Sequence, residues 1–209
     1  MKRIVINIIA VVMTLSLVAC GNTAKKPDIY IEKARLSEQE ESIAKLLGAN
    51  SEQLIYDFKL DNSVKSVQVN TYELINGEWK LVSGGGGKAF SDDKGRLALD
   101  FENLAEGLRV ALQSEHSSGS TQYSTQPEEK FKGMARATSI LNDLTKIIYE
   151  QEIPLAIQIL TDQNSVSSYN VEYFFTPDKY EKHGYEHIYA ITIRFSQKTV
   201  GELDSIYQQ

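Results

Sequence analysis

Few residues in this chain are arranged for chemistry, and each arrangement can be judged by what its chemistry would require. Ser83-Gly84-Gly85-Gly86-Gly87-Lys88 has the materials of a phosphate-cradling loop: glycines that let backbone N–H groups crowd an anion, and a lysine to neutralise it. The pattern fails at both ends, because Val82 stands where the leading glycine belongs and Ala89 where a hydroxyl would meet magnesium. The stretch that follows, with Ser91-Asp92-Asp93, opens no helix, so the run is expected to be a glycine-rich connection or bulge between strands. His183-Gly184-Tyr185-Glu186-His187 brings two imidazoles and a carboxylate together, all of them zinc-ligand types. Gly184 and the alternation that follows place them on a turn leading into a strand, and only His116 is left to complete a shell. Neither a metal nor another cofactor is therefore expected.

Carboxylate chemistry is no better provided. Asp92-Asp93 and Glu128-Glu129 are adjacent pairs whose side chains diverge, whereas glycoside hydrolysis needs two carboxyl groups facing each other across the scissile bond. No Gly-x-Ser-x-Gly elbow occurs, and the three histidines have no recognisable serine partner. A protein without enzymatic activity is the expectation. The densest chemical feature is aromatic: Tyr169, Tyr173, Phe174, Phe175, Tyr180, Tyr185, Tyr189 and Phe195 fall in one stretch. Aromatic faces can stack on sugars or peptides, but strands also favour these residues for cross-strand packing alone. Phe174, Tyr180 and Tyr185 break the alternation or lie in the turn, so they are the ones expected to face outward as a ligand surface.

The N-terminus points to a location. Lys2 and Arg3 precede an apolar run from Ile4 to Ala19, broken only by Asn7, Thr14 and Ser16, which is the layout of a secretory signal peptide. The run ends in Leu17-Val18-Ala19-Cys20, which resembles the lipobox of bacterial lipoproteins. That resemblance implies attachment of diacylglycerol to the Cys20 sulfur, cleavage ahead of it, and a mature protein anchored to the cell membrane on its extracytoplasmic face. Cys20 is the chain's single cysteine, so no intramolecular disulfide can form and lipidation accounts for an exported thiol. Two or more acyl chains make a stable anchor where one holds only marginally. Removing residues 1–19 takes away Lys2 and Arg3 and no acid, so the formal net charge of −6 becomes −8. An acidic surface disfavours nucleic acid, which demands clustered Lys and Arg.

The elements that would carry these residues follow from periodicity. Residues 20–33, polar and interrupted by Pro27, are expected to be a tether, and residues 34–209 a β-rich body. Ser37-Glu38-Gln39-Glu40 forms a capping box ahead of Ile43, Leu46 and Leu47, with Gly48 as a stop, which predicts a short helix. Thereafter the period becomes two: Leu54 to Leu60, residues 64–75 and 78–83 around the hairpin signal Asn76-Gly77, Leu97 to Phe101 after a turn at Lys94-Gly95, and Leu108 to Leu112. Residues 114–127, rich in Ser, Thr and Gly, are expected to be an exposed loop, with a division into two halves near 114–130 as the alternative to one body. Residues 136–149 fit helix and strand equally. Ile153 to Ile159, Tyr169 to Phe175 and Tyr185 to Phe195 alternate again.

About eight strands at this spacing predict an antiparallel β-sandwich, with an immunoglobulin-like arrangement among the forms it could take. The second half, through Glu152-Ile153-Pro154-Leu155-Ala156-Ile157-Gln158 and Tyr189-Ala190-Ile191-Thr192-Ile193-Arg194-Phe195, is similar to lipoproteins of Gram-positive bacteria that have no assigned activity. It implies no catalytic or binding residue. The functional expectation is a membrane-anchored envelope lipoprotein that binds an envelope protein, peptide or glycan. An envelope hydrolase and an accessory solute-binding lipoprotein are the alternatives.

Overall fold

Alternating sequences form strands whose successive side chains point to opposite faces, and such a sheet is stable in water only when its apolar face is covered. The computed structural model describes residues 26–46, 54–84, 87–125 and 131–207, and it meets this demand with two antiparallel sheets packed together as a sandwich. Residues 1–19, expected to be a signal peptide, Cys20 and the Glu128-Glu129 pair lie outside the described residues. The first sheet holds β1 (Tyr30–Lys33), β2 (Leu54–Lys59), β6 (Lys94–Asp100), β7 (Gly107–Ser114), β8 (Ser118–Ser124) and β10 (Thr145–Lys146), in the order β10-β1-β2-β6-β7-β8. The second holds β3 (Ser66–Ile75), β4 (Glu78–Ser83), β5 (Lys88–Ala89), β9 (Ala135–Ile140), β11 (Ile153–Thr161) and β12 (His187–Ser196), in the order β4-β3-β12-β11-β9 with β5 also on β3. The β6-β7-β8 meander differs from the A-B-E-D and C-F-G orders of an immunoglobulin constant domain. Strands from both sides of residues 114–130 share each sheet, so the two halves of the chain interleave.

Leu54, Tyr56 and Phe58 of β2 and Leu97 and Leu99 of β6 supply one inner face, with Ile191, Ile193 and Phe195 of β12 opposite. Phe58 meets Phe195 across the interface at a ring separation of 4.9 Å. Tyr56 is 0% exposed, and its hydroxyl donates to Leu141 O (3.2 Å) and Leu155 O (3.1 Å) on the other side of the core. The Asn76-Gly77 hairpin joins β3 to β4 with φ of 52° and 79°, the positive pair that a type I′ turn requires. The N-terminal helix, Glu38–Leu46, starts at the capping box as expected, with Ser37 N donating to Glu40 (2.8 Å). It buries no residue, and its tie to the sandwich runs through Arg96, which donates to Glu40 (2.7 Å) and twice to Asp57 (2.6 and 3.0 Å).

Four expectations need correction, and one segment that fitted helix and strand equally is decided. Tyr30–Lys33, placed in the tether, is strand β1. Its one fully buried side chain, Ile31, is too little to make an alternation visible. Residues 118–124, placed in a loop, form edge strand β8, whose register is set by the apolar alternation of its partner β7. Lys94-Gly95, placed in a turn, lies inside β6; Gly95 packs so closely under Phe58 that a Cβ would stand 2.5 Å from the ring. Residues 136–149 resolve into strands β9 and β10. Tyr169 to Phe175, placed in a strand, leads into a 3-10 turn, Val171–Phe175, because the Asn170 side chain caps the Glu172 amide (3.1 Å) and Pro177 stops extension.

That last difference adds a layer to the architecture. Residues 162–186 fold over the outer face of the second sheet, with Phe174 stacked on Trp79 (5.1 Å) and beside Tyr72 (5.7 Å). The Trp79 indole donates to Phe174 O at 2.8 Å. Covered on both sides, β11 is buried at every position and β12 at nearly every one, which explains their continuous apolar sequences. A C-terminal helix, Val200–Tyr207, starts at Thr199-Val200-Gly201-Glu202, a capping box in which Thr199 N donates to Glu202 (2.7 Å). Among the described residues no helix is long and apolar enough to cross a membrane.

Candidate ligand-binding cleft

A two-sheet core closes only where inward positions carry enough bulk, and β8 does not supply it. Its inward residues are Gly119, Thr121 and Tyr123, paired with Leu112, Val110 and Leu108 of β7. Opposite them stand Val67, Val69 and Thr71 of β3. Between these strands lies a cleft of about 550 Å³, well within the range of about 300–1,000 Å³ typical of small-molecule sites. Val67, Val69, Leu108, Val110 and Leu112 make its lining more apolar than polar, beside the polar side chains of Gln68, Thr71, Ser83, Ser120 and Thr121, and Tyr123 closes one end, its hydroxyl donating to Leu104 O (3.3 Å). Burial pushes the Tyr123 phenol up, opposed by the Thr71 hydroxyl from the facing sheet.

The rim explains the glycine run. Gly84, at φ 115°, lies so close to β3 that a Cβ would stand 2.6 Å from Val69 O, and Gly87 follows beside Gln68. The run is a connection from β4 to β5 along the edge of β3, as its failed phosphate pattern predicted; Gly85 and Gly86 lie outside the described residues. It ends at Lys88, which among the described residues is the only charged one lining the cleft. The Lys88 ammonium reaches across the mouth to Gly119, where a Cβ would stand 2.9 Å from Nζ.

The histidine segment does not converge. His183 Nε2 faces the Tyr169 hydroxyl (2.7 Å) and its ring stacks on Tyr185 (5.5 Å), while Glu186 accepts from Asp162 N (3.2 Å). His187 Nδ1 instead pairs with Glu73 (3.1 Å), which also accepts the Tyr189 hydroxyl (3.0 Å). Among the described residues no group of three His, Cys, Asp or Glu side chains could hold a metal ion. Asp92 binds His116 Nδ1 (2.8 Å), and the Asp93 backbone carbonyl accepts the Leu60 amide (2.6 Å). The Ser114 hydroxyl first, and His116 next, hold the Asp92 carboxyl down to about 2.

The aromatic residues expected outward are distributed otherwise. Tyr180 is 1% exposed, packed edge-on to Trp79 and Tyr169, which corrects its outward assignment. Phe174 is half-buried on Trp79, and Tyr185 is half-buried with its hydroxyl accepting from Ser167 N (3.2 Å). Phe175, at 61%, is the exposed ring. These residues belong to the layer over the outer face of the second sheet, whereas the cleft lies between the sheets, against Val67, Val69 and Thr71 of β3. The sequence signal for the cleft was Gly119-x-Thr121-x-Tyr123 opposite three aliphatic residues, concealed because the segment's polar composition suggested a loop.

The fold and this site define an antiparallel β-sandwich with an inter-sheet cleft. Comparison with protein-family profiles, curated proteins and solved structures finds no match to the chain.

Proposed function

We propose that the chain is a lipid-anchored envelope protein without catalytic activity, and that its sandwich binds a ligand in the cleft between the sheets. The cleft carries the binding half of this reading: one side of it is formed by Gly119, Thr121 and Tyr123 of β8, and apolar surface predominates in its lining beside a few polar groups, the composition of small-molecule sites. The non-catalytic half is supported by the scattered histidines and carboxylates, each engaged with a different structural partner. The anchor rests on the Leu17-Val18-Ala19-Cys20 sequence and the lone cysteine.

Location and binding are tested separately. Cells fed radiolabelled palmitate should label the wild-type protein and leave Cys20→Ser unlabelled; equal labelling of the two would remove the anchor from the account. For the cleft, Val110→Trp introduces an indole on the inward face of β7 and should abolish capture of small molecules from a lipid extract, with the fold unchanged by circular dichroism. Undiminished capture would place binding elsewhere.

A further inference from the structure

Resting on the binding role of the cleft, we propose that its ligand is an amphipathic anion: an apolar body between β3 and β7, with a singly charged head held by Lys88. The argument starts from the charge. Lys88 is half-buried at the mouth of an otherwise uncharged cleft and has no hydrogen-bond or ion-pair partner among the described residues. A cation withdrawn from bulk water without an opposing charge is unfavourable, and an anionic head beside it offsets that cost. Its position is built by the fold: β5 pairs Lys88 with Val67, and the bare backbone of Gly119 leaves room for the ammonium over the opening. Lysine presents a compact point charge, so carboxylate, sulfonate and phosphate diester heads, each singly charged, are all suitable.

Deeper in the cleft the requirements reverse. Val67, Val69, Leu108, Val110 and Leu112 give walls that reward apolar surface, and Tyr123 closes the inner end with its hydroxyl already engaged. A fully polar anion would leave these walls unpaired with apolar surface, and a neutral hydrocarbon would leave Lys88 uncompensated. A ligand with one charged end and an apolar remainder satisfies both. Such molecules come from two sources, free in the envelope or as lipids of the membrane.

The test uses full-length protein held in a non-ionic amphipol, with methyl-labelled valine and leucine read by NMR so that binding is located in the cleft. Octanoate should shift the Val69, Val110 and Leu108 methyls saturably. Lys88→Met should weaken it at least about tenfold, the worth of one contact to a charged group, and Lys88→Arg should restore it. Octyltrimethylammonium should bind more weakly than octanoate and should not be weakened by Lys88→Met, which removes a like charge from the mouth. Equal binding of the two probes, or no effect of Lys88→Met, would overturn the anion assignment while leaving the cleft as a binding site. No shift with either probe would remove the binding reading itself. Repeating the titration in phosphatidylglycerol and phosphatidylcholine nanodiscs separates the sources: competition by the first alone identifies membrane lipid, competition by neither identifies a free anion, and either fulfils the proposal.

Discussion

Two buried tyrosines differ in one respect, and the same substitution should therefore move stability in different directions. The Tyr56 hydroxyl donates across the core to Leu141 O and Leu155 O, whereas the Tyr180 hydroxyl has no hydrogen-bond partner among the described residues. Tyr56→Phe removes the donor while keeping the ring, and Leu155 O retains the Leu141 amide at 2.8 Å, so the loss falls mainly on Leu141 O. A net hydrogen bond together with a desolvated acceptor gives about 2 kcal/mol. For a chain of this size that corresponds to a fall in Tm of roughly 4–8 °C. Tyr180→Phe instead deletes a hydroxyl whose burial has no hydrogen bond to offset it, so it should leave Tm unchanged or raise it by up to roughly 4 °C. Thermal unfolding of the full-length protein in amphipol, followed by circular dichroism, measures both. A Tyr56→Phe protein melting with wild type, or a Tyr180→Phe protein losing as much as Tyr56→Phe, would refute the reasoning.

Three further outcomes follow from the contacts. Arg96→Met should release the N-terminal helix from the sandwich, raising hydrogen exchange over Glu38–Leu46 many-fold while β11 and β12 stay protected; unchanged exchange would mean that Arg96 does not hold the helix. The Asp92–His116 pair should make stability depend on pH. The Asp92 contribution is present above its ordinary value of 3.8 and lost as pH falls toward 2. The imidazole, raised above 6.5 by Asp92, contributes fully below 6.5 and loses its contribution as pH rises through the raised value. The stability lead of wild type over His116→Asn should therefore be greatest between pH 3.8 and 6.5, and a lead independent of pH would count against the pair. Gly84→Ala should cost about 1–3 kcal/mol in chemical denaturation, because it combines a φ of 115° with a Cβ driven against Val69 O; a wild-type midpoint would show that the rim is free to move.

What the sequence disclosed depended on whether local pattern and tertiary demand agreed. Leu54-x-Tyr56-x-Phe58 and the Asn76-Gly77 turn were legible because each carries its own physical instruction, burial on one face and positive φ. Ser37 and Glu40 announced a helix by the same means, and Thr199 and Glu202 carried an equal signal that the sequence reading passed over. Tyr169, Val171, Tyr173 and Phe175 misled because their spacing matched a strand, while Asn170 and Pro177 dictated a compact turn laid over a sheet already formed. Strand β8 was illegible for the opposite reason: two of its three inward residues, Gly119 and Thr121, are small where they border a cleft, so it lacks the apolar alternation that marks an ordinary strand. The property that hid the strand is the one that makes the candidate site.

The claim that this chain holds a ligand between its sheets is tested most directly by native mass spectrometry of full-length protein released from its own membranes. Wild-type protein is predicted to carry a non-covalent small-molecule adduct that is lost on denaturation, and Val110→Trp protein to fly without it. The same bare mass for both proteins, or the same adduct on both, would contradict the account.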